Sequence, residues 1–129
     1  MQDGHVTSAV AEYRAALASR PMLIEALTEL AWTFATSPSD ALQAPAEAIT
    51  LGERARTLTG SQDVRALDAL AAAYAASGRY ADATRVLDSA LRLVESAGAG
   101  AAPARDLLRA RRDLYRAGRP YRDPSRQDR

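Results

Sequence analysis

The 129-residue chain has no cysteine, no lysine, one histidine and only 5% aromatic residues. Without cysteine there can be no disulfide, no thiolate nucleophile and no thiolate-ligated metal. The lone histidine, His5, lies at an end expected to fray, where a histidine is far more often solvent-exposed than catalytic, so histidine catalysis is not expected. No cluster of His, Asp and Glu has metal-ligand spacing. Gly98-Ala99-Gly100 lacks both the Lys-Ser/Thr and the preceding strand of a phosphate loop. No apolar run approaches the roughly 20 residues of a membrane span, and neither a basic n-region nor an apolar h-region follows Met1. Together these absences predict a protein that is not an enzyme, holds no cofactor or metal, does not enter a membrane, and is by default cytoplasmic. The missing lysine, with all 17 basic residues Arg, reads as the mark of a GC-rich genome rather than a chemical requirement.

What is present is alanine and leucine in helical order. Hydrophobic residues make up 47% of the chain, and a composition so rich in Ala and Leu favours helix and close helix contact. No segment alternates apolar and polar residues as a strand does. The pattern Gly4-x-Val6-x-x-Ala9-x-x-x-Tyr13-x-x-Ala16-Leu17 returns as Gly78-x-Tyr80-x-x-Ala83-x-x-x-Leu87-x-x-Ala90-Leu91, which predicts stacked copies of a small unit. Apolar stripes predict six helices, over about Val6 to Ser19, Met22 to Ala35, Ala46 to Leu58, Gln62 to Ser77, Tyr80 to Ser96, and Pro103 or Ala104 to Ala117. Pro21, Gly60, Gly78, Gly118 and Pro120 punctuate them, and Pro45 suits a first helical turn. Residues 36–45 form a loop, 98–102 a flexible joint, and the polar tail 118–129 is expected to fray.

Leu67-x-x-Leu70-Ala71-x-x-Tyr74-x-x-x-Gly78-x-Tyr80-x-x-Ala83-x-x-x-Leu87-x-x-Ala90 resembles a tetratricopeptide repeat. Leu27-x-x-Leu30-Ala31-x-x-Phe34 resembles the first helix of another copy, whose second helix, Ala48-x-x-x-Gly52-x-x-Ala55, arrives after an insertion. Gly52 stands where the family has a bulky residue and is expected to leave a thin contact. The resemblance implies an all-α solenoid of about two and a half units. Residues 4–21 would be a half repeat, 22–60 a repeat with an insertion, 63–97 a full repeat and 103–117 a closing helix like that of bacterial members. The domain would span 1–117, followed by the tail, and would be the C-terminal part of a repeat array.

In that family the first helices line a concave groove for peptides or partner helices. Carried over, the groove residues are Glu25, Thr28, Glu29 and Trp32, with Arg65, Asp68, Ala72 and Ala75 from the next repeat. Thr28 and Trp32 stand where chaperone-binding members clamp a carboxylate, and neither fits, so that ligand is not expected. Trp32 lies about 100° off the Leu27–Leu30–Phe34 stripe and reads either as a groove anchor or as a cover for the loop before Pro45. Glu25 and Glu29, one helical turn apart, would attract a basic ligand or form a solvated face.

Residues 104–129 carry nine Arg against four acids, a net +5, while the first 103 carry eight Arg against twelve acids, a net −4. The basic end lacks the interleaved aromatics of a base-stacking surface, so nucleic acid is not the expected partner. Arg111 falls on the apolar side of the last helix and must snorkel or pair with an acid. The expected function is protein–protein interaction through the groove. The alternative is a structural cap, or self-association through Val6, Val10, Tyr13 and Leu17 of the first helix.

Overall fold

The computed structural model describes residues 4–128. Six α-helices follow one another: α1 (His5–Ser19), α2 (Ile24–Thr36), α3 (Pro45–Leu58), α4 (Val64–Ala76), α5 (Tyr80–Ser96) and α6 (Ala102–Arg116). There is no strand among the described residues, and no helix end departs from the sequence expectation by more than two residues. The stops and starts have local causes. Pro45 opens α3, where its missing N–H costs nothing. Asp63 caps α4 by accepting from the N–H groups of Arg65 and Ala66 at 2.9 and 3.2 Å. The two glycines that head the sequence echo, Gly4 and Gly78, share a left-handed backbone at φ 62° and 80°, a conformation that penalises any side chain.

Helices near in sequence pack on one another: α2 meets α1, α3 and α4, α4 also meets α3 and α5, and α6 lies on α5. The three-residue link from α4 to α5 makes that pair an antiparallel hairpin. Two cores result, and α4 supplies both. Its Leu67, Leu70 and Tyr74 join Leu87, Leu91, Leu108 and Tyr115 of α5 and α6. Its Ala66, Ala69, Ala72 and Ala73 face Leu27, Leu30, Phe34, Ala48 and Ala55 of α2 and α3. Nine of the thirteen residues of α4 are buried, so it is the central beam of the molecule.

Gly52 corrects the expectation of a thin contact. A Cβ built there would lie 3.1 Å from Leu70 Cα, so the missing side chain lets α3 close onto α4. Helix α1 contains no buried residue. Its Val10, Tyr13 and Leu17 are half-buried against the α2–α3 core, and Arg14 grips Glu47 of α3 with two hydrogen bonds of 2.7 and 3.1 Å. The loop after α2 folds back, with Ala44 N–H donating to the Phe34 carbonyl at 3.0 Å.

The tail does not fray. After Gly118 ends α6, residues 119–128 run back across α2 to the start of α1. A 3₁₀ turn forms over Pro124–Arg126, and the reason for the order is the set of partners α2 offers.

Candidate functional site

The last four carbonyls of an α-helix have no partner within it. In α2, the chain that follows satisfies two: Ser37 N–H donates to Thr33 O, and Ala44 N–H to Phe34 O, both at 3.0 Å. The tail satisfies the other two. Arg122 Nη1 donates to Ala35 O, and Asp123 N–H to Thr36 O, both at 2.8 Å. The cation also sits at the negative end of the helix dipole.

One turn back along α2, Trp32 donates its indole N–H to Asp123 Oδ2 at 2.8 Å. Its ring lies 5.7 Å from that of Tyr121, tilted by 39°. The Arg111 guanidinium stacks over both, at 4.7 and 4.9 Å from the ring centroids, which is cation–π geometry. The same guanidinium pairs with Asp68 of α4, the two side chains being 11% and 15% exposed. The partner required for Arg111 on the apolar face of its helix is therefore an α4 carboxylate.

A further turn back, Glu29 receives two guanidinium groups, from Arg65 at 3.1 Å and from Arg126 at 3.0 Å. The tail reaches the first turn of α1, whose N-cap residue, Gly4, has no side chain to offer. Asp128 caps that turn, accepting from the Val6 N–H at 2.6 Å, the Thr7 N–H at 3.1 Å and the Thr7 hydroxyl. The hydrogen bond from Thr7 and the helix amides hold the Asp128 carboxyl below the ordinary carboxylate range. For Asp123, burial works in the opposite direction, but the donors on Trp32 and Ser125 prevail and its pKa is lowered. For Asp68, burial outweighs Arg111 and raises the pKa to about 6. The hydroxyl of Tyr115 is buried without a protein partner, and burial raises its pKa too.

A cleft of about 260 Å³ remains between α2, α4, α6 and the tail, and Thr28, Glu29, Trp32, Arg65 and Asp68 line it. Five of the eight groove residues expected from sequence are thus brought to one place, whereas Ala72 and Ala75 are buried in the two cores. Glu25 is exposed and lies outside it. Thr28 is buried at the cleft wall. Of the two roles expected of Trp32, covering the 37–44 loop is not what its hydrogen bond and ring contacts do: they run to α6 and the tail, and the side chain lines the cleft. Sequence reasoning missed Tyr121, Asp123 and Arg126. One signal was available: Asp123 with Ser125 two residues on is an Asx-turn pair, and the Ser125 N–H does donate to Asp123 Oδ1, at 2.9 Å.

Among the described residues, no group of three or more His, Cys, Asp or Glu gathers as a metal site. No helix among the described residues is long and apolar enough to cross a membrane. In comparisons with known proteins, no family model, curated protein or solved structure matches the chain.

Proposed function

We propose that the chain is a non-catalytic protein–protein interaction module of the tetratricopeptide kind, which takes an extended segment of a partner protein on the α2–α4 face. The observation that carries this reading is the tail itself. The tail, extended except for the 3₁₀ turn at Pro124–Arg126, lies against α2 through one backbone hydrogen bond from Asp123 N–H to Thr36 O, a Trp–Arg–Tyr stack and a shared carboxylate, and another chain in its place brings the same backbone N–H. The antiparallel α4–α5 hairpin and the Gly4/Gly78 echo favour the repeat assignment.

A second reading has its own support. The tail caps α2 and α1, so α6 and the tail would form a structural closure with no ligand. Panning a displayed library of extended peptides against full-length chain carrying Tyr121→Ala and Asp123→Arg separates the two. Peptides that are retained, and that are lost when Glu29→Arg is added to a chain of unchanged helicity, support the binding module. An empty selection sinks it and leaves the closure.

A further inference from the structure

We propose that the partner segment repeats the chemistry of residues 121–128, and that the tail is its built-in competitor. The recognised pattern is an aromatic residue, then Arg and Asp, with a second Arg three positions beyond the Asp. The inference rests on the binding module proposed above and names its ligand.

Each position follows from a group on the helices that the tail meets. The ring of Trp32 and the Arg111 guanidinium form a half-open stack that a planar aromatic completes, as Tyr121 does. The carbonyl ends of α2 demand donors, and Arg122 and the Asp123 N–H supply them. The indole N–H of Trp32 demands an acceptor, and a carboxylate suits it beside the Arg111 charge. Glu29 retains Arg65 without the tail, but Arg65 is 72% exposed and a weak counter-charge. A second cation from the ligand, such as Arg126, meets the other oxygen. An acidic residue two places later accepts from the Val6 and Thr7 N–H groups in the first turn of α1.

Only Ala117–Pro120 separate α6 from Tyr121, so the tail acts at an effective concentration on the order of millimolar. A second copy offering the same tail has no contact the resident tail lacks and does not displace it at ordinary concentrations. A partner does so by extending the pattern beyond eight residues, or when the tail is released. The occupant is a segment of another protein, and an exchange of tails between two copies would instead appear as dimerisation.

The test uses a synthetic peptide of residues 119–128 and the emission of Trp32, the sole tryptophan. Full-length Tyr121→Ala/Asp123→Arg chain, with helicity checked by circular dichroism, is expected to bind the peptide saturably. Wild-type chain should bind it at least ~100-fold more weakly. The peptide with Asp123→Arg should lose binding, and Glu29→Arg in that chain should restore affinity for the Arg126→Glu peptide. Absence of binding to a folded tail-opened chain overturns the proposal. If library peptides bind that chain while the tail peptide does not, the ligand assignment falls and the binding module stands; if neither binds, both fall. Should the double variant lose helicity, Arg126→Glu chain decides: peptide affinity several-fold above wild type is expected, and equal affinity overturns the proposal. Dimerisation of wild-type chain at micromolar concentration, abolished by Tyr121→Ala, overturns it in favour of a second copy.

Discussion

The two cores of this molecule share α4 and differ in how they are filled. On the α5–α6 side, four of the thirteen buried residues are alanine and the rest are Leu, Val and Tyr. On the α2–α3 side, eight of twelve are alanine. The first core gains its stability from apolar area, about 25 cal/mol for each Å² removed from water. The second has little area per residue and holds by letting backbones approach, as Gly52 does against Leu70. One core is therefore vulnerable to lost volume and the other to added volume.

The largest expected effect breaks the first core. Leu87 is fully buried among large neighbours, and Leu87→Ala should cost about 2–5 kcal/mol in denaturant unfolding. The comparison is sharpened by Gly52→Ala, which adds one methyl group where helix propensity alone would favour it. With a Cβ at 3.1 Å from backbone, that change should instead destabilise by about 1–3 kcal/mol. A gain in stability would show that α3 and α4 part easily and that the Ala-rich core is loose.

The pair that links the α6 end to the groove gives a smaller, pH-dependent effect. Asp68 has a folded pKa near 6, above its ordinary value of 3.8. The folded state thus holds a proton that the unfolded state gives up between those values, so this group's contribution to stability falls as pH rises from about 4 to 6. Stability should rise, on the order of 1 kcal/mol, between pH 7 and pH 5, and Asp68→Asn should abolish the slope. The depressed Asp123 and Asp128 act in the opposite direction: their support is present above pH 4 and is lost as pH falls below it. The smallest effect is at α1, where Arg14 and Glu47 are 50% and 40% exposed. Arg14→Ala should shift stability by about 0.5 kcal/mol or less in the same unfolding assay, because α1 is fastened to neither core by a buried side chain.

Helices were legible in the sequence because their causes are local. An i, i+3, i+4 stripe, a proline at a first turn and a capping Asp63 act within a few residues, and the observed ends follow them. The need of Arg111 for an acid was legible from its place on an apolar stripe, but its partner was not. Asp68 lies 43 residues away, and nothing in helical periodicity couples two helices in register. The tail was misread for the same reason. Its composition is polar, and its order comes from contacts to α2 across 87 to 97 residues. Gly52 was read against a pattern that wants bulk, whereas the neighbouring alanines had already set a shorter interhelical distance.

The Asp128 cap on α1 closes the backbone almost into a ring. A loop of a few flexible residues joining position 128 to position 4 would span ends that hydrogen bonds already hold together, and new ends could be opened in the 37–44 connection without cutting a helix. Such a circular permutant should keep both cores. It would also turn the tail into an internal crossover tethered at both ends, which can leave α2 only by bulging outward or by carrying α1 with it.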